Sequence, residues 1–286
     1  MRSENSTGAT DGSAQSARGK AGDLRTRFLS ALVLGPLVLL AVFLGDWVFQ
    51  ILIFVFAVAA AVEWARLVEP VNAVVPVGLS AAVVAAILII EALWGVGMAL
   101  AAVAVLTPAL FGLVFAVGAR HRRLLAFGIP YVSLGSLSLI WLRDRGDTGL
   151  GLLIFLLFAI WATDIGAYVA GRSIGGPKLA PRISPKKTWA GLIGGMVSAA
   201  AFGGAVAFAF GARHWPAAAM LGVVLAVVGQ AGDLFESAIK RRYNVKDSGH
   251  LIPGHGGLLD RVDGLIVAAP VFALFHATLG NLLEWW

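Results

Sequence analysis

Long apolar stretches run through the chain, and they constrain its fold more than any other feature. A membrane-spanning helix needs roughly 20 mainly apolar residues, because the hydrocarbon core of a bilayer is about 30 Å thick. These stretches are continuously apolar, whereas the strands of a membrane β-barrel alternate apolar and polar residues. The sequence therefore predicts an all-α, polytopic integral membrane protein with about nine transmembrane helices. The stretches lie at about 28–44, 47–62, 71–90, 92–118, 124–142, 149–171, 189–212, 215–232 and 264–283.

The composition supports this prediction and excludes several chemistries. Hydrophobic residues make up 59% of the 286 residues and charged residues only 13%, whereas about a quarter of the residues in soluble domains are charged. The chain has no cysteine, which excludes a disulfide, a thiolate nucleophile and a cysteine-ligated metal. The histidines show no zinc spacing, which argues against a zinc enzyme.

The beginning of the chain differs from the rest. Residues 1–23 are rich in Ser, Gly, Ala and Thr and contain no apolar run, so they cannot bury enough surface to offset the entropy of ordering. They predict a disordered N-terminal tail, and residues 24–286 predict a single membrane domain. Polar residues are few in its N-terminal helices, residues 24–142. We expect residues 143–286 to carry the chemistry.

The basic residues predict the orientation in the membrane. Loops that are rich in Lys and Arg tend to stay in the cytosol during insertion. With the N-terminus inside and nine spans, all but three of the 22 Lys and Arg residues fall on the inner side. This distribution predicts a cytosolic N-terminus, a C-terminus outside the cell membrane, and two long basic loops on the cytosolic side, at about 172–188 and 233–263.

The second basic loop carries the most distinctive polar pattern. If the eighth span continues as a helix beyond the membrane surface, Asp233, Ser237 and Lys240 fall on one face. Asp260 and Asp263, at the start of the ninth span, also point the same way. Carboxylates beside many cations suit a hard metal ion that is bound together with phosphates, since Mg²⁺ prefers oxygen ligands. The alternative is that the cations only anchor the helices to anionic lipid headgroups, but this would not explain the carboxylates.

The same loop resembles a known family signature. Residues 237–263 contain S-x-I-K-R, four further residues, K-D-x-G, two further residues, and I-P-x-H-G-G-L-x-D-R-V-D. This pattern resembles the signature of the phosphatidate cytidylyltransferases, the CDP-diacylglycerol synthases. The resemblance in hydropathy and topology extends from about residue 25 to the C-terminus.

Two shorter segments agree with this resemblance. Residues 162–168, within the sixth span, and residues 184–189, before the seventh, look like further segments of the family. Asp164 belongs to the first, and an ionised Asp within a span is costly and usually functional or paired. Two positions depart from the family pattern, because Ala190 replaces an expected Glu and Gly264 an expected Ser. The first departure puts a role for position 190 in doubt.

The resemblance implies an enzyme that converts CTP and phosphatidate into CDP-diacylglycerol and pyrophosphate with Mg²⁺. It leaves open whether a second, monovalent ion assists. It also implies a multi-pass protein of the cell inner (plasma) membrane, with an active site that faces the cytosol and no nucleic-acid partner. The implied metal ligands are Asp164, Asp233, Asp260 and Asp263; the implied catalytic residues are Asp233, Asp260, Asp263, Lys240 and Arg261; and the implied substrate-binding residues are Lys186, Lys187, Ser237, Arg241, Lys246, Asp247, His255, Gly256, Gly257 and Tyr168.

Two other functions fit parts of the pattern. A CTP-dependent kinase acting on a polyprenol or phytol would share the spans and the nucleotide site but would release CDP instead of pyrophosphate. An ion-coupled transporter would use Asp164 as an ion site but would leave the acidic, glycine-rich loop unexplained.

A stripe of small residues marks the seventh span. Such a stripe lets two helices approach closely, and it fits either packing within the chain or a homodimer interface. The stripe consists of Gly191, Gly195, Ala199 and Gly203.

Overall fold

The computed structural model describes residues 35–71, 73–249, 251, 256–280 and 285–286. The predicted tail, residues 1–23, and the predicted substrate-binding residue His255 lie outside the described residues. Nine α-helices account for most of the described chain. They are α1 (Gly35–Leu44), α2 (Asp46–Val68), α3 (Val74–Trp94), α4 (Val96–Ala116), α5 (Arg122–Arg143), α6 (Gly149–Ser173), α7 (Trp189–Ala209), α8 (Trp215–Arg242) and α9 (Leu259–Phe275).

Each predicted apolar stretch corresponds to one of these helices, which confirms the prediction of a polytopic helical membrane protein. Within the described residues, eight helices are long and apolar enough to cross a membrane, and the described part of α1 is shorter. The largest difference from the predicted ends is in α8, which runs on to Arg242. The orientation of the helices relative to the cytosol stays a prediction.

A two-stranded hairpin interrupts the otherwise all-α fold within the segment that the sequence predicted as a loop. Strand β1 (Lys178–Ala180) pairs antiparallel with β2 (Ser184–Thr188). At the end of β2, Thr188 Oγ1 accepts a hydrogen bond of 3.0 Å from the Gly191 amide and so caps the N-terminus of α7. The hairpin therefore holds Lys186 and Lys187 directly at the start of α7.

The helices pack as two neighbouring groups. One group consists of α2 to α5, and the other of α6 to α9, in which α6 packs most extensively on α7. Contacts between α5 and α9 join the two groups. Near this junction, aromatic rings from α2, α5 and α8 form a cluster with centroids 5.0–6.2 Å apart. The cluster consists of Trp64, Phe127, Tyr131 and Phe235, and it fixes the first group against the second.

The small-residue stripe of α7 lies against α6. A Cβ atom added at Gly195 would lie 2.9 Å from the backbone oxygen of Thr163, and one added at Gly191 would lie 2.9 Å from that of Ala167. The two backbones approach so closely that larger side chains do not fit. Packing within the chain accounts for the stripe, and a homodimer stays a prediction.

Replacing Gly195 by Leu is expected to separate α6 from α7. The added side chain overlaps the backbone of α6, and overpacking of this kind typically costs about 1–3 kcal/mol. We expect a lower melting temperature of the purified protein in detergent. Ile193→Leu, at an exposed position of the same helix, is the matched control and should melt like the unaltered protein. Equal melting temperatures for both variants would contradict the close packing.

Candidate active site

The extension of α8 places its polar residues as the sequence predicted. The helix has 28 residues and is therefore about 42 Å long, about 12 Å more than the hydrocarbon core requires. Asp233 and Ser237 lie one turn apart on this helix, and Ser237 Oγ donates a hydrogen bond of 3.3 Å to Asp233 Oδ1. Lys240 follows on the same face.

The hairpin contributes a cation to the same place. Lys187 Nζ forms an ion pair with Asp233 Oδ2. Its neighbour Lys186 and the hydroxyl-bearing Tyr168 line an adjoining cavity of about 340 Å³, which we name the polar cavity. Its lining is completed by Asp164, Ala167, Gly171, Arg172, Lys187, Thr188, Gly191, Leu192, Gln230 and Asp233. The polar cavity thus brings three cations, Arg172, Lys186 and Lys187, close to the carboxylates of Asp164 and Asp233.

A second cavity, of about 240 Å³, meets the polar cavity and is mainly lined by hydrophobic side chains. We name it the apolar cavity. Three carboxylates lie along it, from Asp164 on α6, Asp233 on α8 and Asp263 on α9. Asp263 interacts electrostatically with both of the others. The structure therefore brings together three of the four acidic residues that the resemblance implied as metal ligands.

Asp260 has a different environment from these three carboxylates. Its Oδ1 atom accepts a hydrogen bond of 2.5 Å from Lys240 Nζ, and its Oδ2 atom accepts bonds of 2.9 Å from the amides of Ser248 and Gly257. Lys240 also bonds to the buried Glu236 at 3.1 Å. The oxygens of Asp260 are already engaged, and their partners tie the loop to the start of α9.

Residues 25–279 match the cytidylyltransferase family. This match covers both helix groups, the hairpin and the loop before α9. The chain belongs to the cytidylyltransferase family. Its members transfer a cytidylyl group, so the chain is a nucleotidyltransferase.

Individual relatives in the family are similar to this chain over half of its length or more. A phosphatidate cytidylyltransferase of Brucella suis biovar 1 (strain 1330) is 39% identical over 260 residues, which cover 89% of this chain and 94% of the relative. The enzyme of the same name from Brucella abortus biovar 1 (strain 9-941) gives the same identity and coverage. That of Rickettsia felis is 40% identical over 156 residues, which cover 50% of this chain and 69% of the relative.

For a cytidylyltransferase, the acidic residues present fit a Mg²⁺ ion that shares its ligands with the substrates. Among the described residues, no group of three or more His, Asp or Glu side chains is arranged to hold a metal ion by itself. Mg²⁺ usually takes one or two protein carboxylates and completes its shell with substrate phosphates and water. The carboxylates of the apolar cavity suit such a shared ion, because they converge from α6, α8 and α9 and supply the hard oxygen ligands that Mg²⁺ prefers.

Several other predicted residues lie outside the two cavities, at the end of α8 and on the loop that follows it. Arg241 is exposed and donates a hydrogen bond of 3.0 Å to the backbone oxygen of Val245. Lys246 and Asp247 are also exposed. Arg261, in contrast, lines the apolar cavity beside the carboxylates. The predicted substrate contacts of the loop residues stay predictions.

Two glycines of the loop have physical reasons to be glycine. Gly256 adopts a φ of +84°, which side chains with a Cβ atom rarely allow. A Cβ added at Gly257 would lie 2.7 Å from both Glu63 Oε2 and the Gly249 amide nitrogen. These residues, predicted as substrate-binding, are also needed for the loop to fold back onto α2.

Glu63 of α2 is a site residue that the sequence analysis missed. It is only 3% exposed, and its carboxylate accepts hydrogen bonds of 2.9 Å from the amides of both Leu258 and Leu259. It also accepts a bond of 3.2 Å from Ser248 Oγ. Glu63 therefore caps α9 and holds the loop. The rule that singled out Asp164, that an acidic residue within an apolar stretch is functional or paired, did not reach Glu63, because Glu63 lies one residue beyond the predicted stretch 47–62; α2 itself continues to Val68.

Proposed function

We propose that this chain is a phosphatidate cytidylyltransferase, which converts CTP and phosphatidate into CDP-diacylglycerol and pyrophosphate. The observation that carries the proposal is that the polar cavity and the apolar cavity share Asp164, Gln230 and Asp233. The reaction joins a highly charged nucleotide to a lipid, and this pair of cavities provides a suitable environment for each. The names of the relatives support the same reaction.

In the proposed reaction, a phosphate oxygen of phosphatidate attacks the α-phosphorus of CTP in line. The new O–P bond forms as the bond between the α-phosphorus and the bridging oxygen breaks, and the electron pair leaves with pyrophosphate. The nucleophile is already anionic near neutral pH, so no general base is required. Positioning and charge stabilisation therefore supply most of the acceleration.

The cations of the polar cavity would neutralise the negative charge of the reacting phosphates and of the leaving pyrophosphate. Arg172, Lys186 and Lys187 face this cavity together, and they would bind the phosphates of CTP and the departing pyrophosphate. Asp164, Asp233 and Asp263 would provide the one or two carboxylates that hold Mg²⁺ alongside the substrate phosphates. The bound ion would neutralise phosphate oxygens and make the phosphorus more electrophilic. The contacts of Asp260 favour a role in shaping the loop for this residue.

We place this site on the cytosolic side of the cell inner membrane. The support is the excess of Lys and Arg on the loops that carry the site and the location of CTP, which is a soluble cytosolic nucleotide. Phosphatidate would stay in the bilayer and reach the site from the lipid phase.

The direct test supplies the purified protein in detergent with labelled CTP, phosphatidate and Mg²⁺. A CDP-lipid and pyrophosphate in equal amounts are the expected products. Release of CDP with a phosphorylated lipid alcohol would indicate a lipid kinase instead, and ion flux into vesicles without nucleotide would indicate a transporter. No CDP-lipid with any phosphatidate tested would overturn the proposed reaction.

Replacing Lys187 by Met is expected to lower kcat/KM for CTP by about ten- to a hundred-fold. A hydrogen bond to a charged group typically contributes about 1.5–3 kcal/mol. The variant would lose such a bond to the nucleotide, together with the ion pair to Asp233. Steady-state kinetics at saturating phosphatidate would measure the change. Lys178→Met, on the exposed start of the same hairpin, is the control. Equal kinetics for the two variants would contradict the role of Lys187.

A further inference from the structure

The apolar cavity extends far beyond the carboxylates that it shares with the polar cavity. It follows α2 from Phe49 to Ala60 and α6 from Leu153 to Asp164. Each segment spans eleven residue steps, or about 16 Å along a helix. Phe49, Ala60 and Leu153 are almost fully buried, so these parts of the cavity wall lie inside the bundle.

The polarity of this cavity changes sharply along its length. Its polar side chains lie mainly at the end where α6, α8 and α9 bring their carboxylates together. Along α2 the lining residues are hydrophobic without exception. A ligand that fills the whole space must therefore be polar at one end and apolar along the rest.

We propose that the apolar cavity binds one acyl chain of the lipid substrate, with the lipid phosphate at the carboxylate end. This inference rests on the proposed function. It assigns a binding site to an acyl chain of phosphatidate, which takes no part in the reaction itself. The volume of about 240 Å³ is below the range of about 300–1,000 Å³ that is usual for ligand sites. It fits part of one chain, and the second chain stays in the bilayer.

Such a cavity is expected to discriminate between acyl chains by their shape. Lipid tails are as apolar as the side chains that line the cavity, so transfer from the bilayer gains no hydrophobic free energy. The gain comes from close packing, and a closely packed apolar interior is sensitive to a change of even one methylene group. The enzyme should therefore discriminate between phosphatidates by chain length and bulk, and a narrowed cavity should shift that preference.

The position of a bulky substitution along α2 should set which chains are excluded. Ala57 is about one turn nearer than Ile53 to Glu63, which contacts the start of α9 at the carboxylate end. Both residues are buried and line the cavity. The longest acyl chain that still fits should therefore be shorter in Ala57→Phe than in Ile53→Phe. For a long-chain phosphatidate such as the dioleoyl form, we expect kcat/KM to fall at least ten-fold in Ala57→Phe. For the dihexanoyl form the loss should be smaller, because less of its chain extends beyond residue 57, and the KM for CTP should be unchanged.

Val55→Phe provides the matched control, because residue 55 lies on the same helix and its side chain is 54% exposed. It should leave the preference for chain length unchanged. An equal loss of activity with long and short chains in Ala57→Phe, or no loss with either, would overturn the proposal.

A second measurement does not depend on turnover. Phosphatidate with a photoreactive diazirine on one acyl chain should crosslink to α2 at cavity-lining positions between Phe49 and Ala60, as mapped by mass spectrometry, and Ala57→Phe should reduce this yield. Crosslinks only at exposed positions such as Val55 would overturn the acyl-chain site. Cavity crosslinks without any CDP-lipid in the activity assay would instead contradict the proposed reaction.

Discussion

Replacing Asp233 by Asn is expected to lower turnover by about 10²–10³-fold, the loss typical when a group that stabilises developing charge is removed. The Asp233 carboxylate forms an ion pair with Lys187, accepts a hydrogen bond from the Ser237 hydroxyl and faces both cavities. Asn keeps the shape and an oxygen for Ser237. It removes the charge that would hold Lys187 and Mg²⁺ together.

The measurement is the rate of CDP-lipid formation at saturating CTP, phosphatidate and Mg²⁺. The dependence on Mg²⁺ should also shift to higher concentration. Asp147→Asn, at an exposed position in the short turn Gly146–Thr148, serves as the control and should retain normal turnover. A near-normal rate for Asp233→Asn, with a normal circular dichroism spectrum, would show that Asp233 is not part of the active site.

Replacing Glu63 by Ala is expected to destabilise the loop before α9 and to reduce turnover at least ten-fold. The change leaves the amides of Leu258 and Leu259 without their acceptor inside the protein, and each such buried group costs about 1–3 kcal/mol. The loop then no longer holds Asp260, and α9 loses the cap that fixes Asp263 near its first turn. The melting temperature in detergent and the rate of tryptic cleavage in the loop should both report this change.

Conservative variants separate the role of Glu63 from a general loss of stability. Glu63→Gln keeps one acceptor oxygen but turns an NH₂ group toward a backbone amide, so it should be less impaired than Glu63→Ala. Glu91→Gln, on α3, removes an acidic residue from another apolar helix and should leave cleavage of the loop unchanged. If Glu63→Ala and Glu91→Gln gave equal cleavage rates and equal turnover, the proposed positioning role would be wrong.

The sequence was sufficient to predict the membrane helices, because their length and hydrophobicity follow directly from the thickness of the bilayer. It also predicted that Asp233, Ser237 and Lys240 share one face, since this requires only that α8 continue as a helix. The family signature marked the loop itself. These features depend on residues that are close in sequence or on one physical constraint.

The remaining features depend on contacts between distant segments. The three bonds of Glu63 join residues 185 to 196 positions apart, and no local pattern encodes such a pairing. The same holds for Asp260, which looked equivalent to Asp263 by helical spacing but is engaged by Lys240 and two loop amides. The hairpin was missed because its strands of three and five residues are too short to show an alternating pattern.

The hydrogen bonds of Glu63 also bear on the order in which the protein is assembled. Synthesis proceeds from the N-terminus, so α2 enters the membrane long before the loop and α9 have been made. Until then, the carboxylate of Glu63 cannot accept hydrogen bonds from the backbone amides of Leu258 and Leu259. The loop can dock only when the last membrane helix begins to form. Completion of the site is therefore expected among the final events of biogenesis. A chain that ends before residue 258 should insert the helices that precede α9 and yet be inactive.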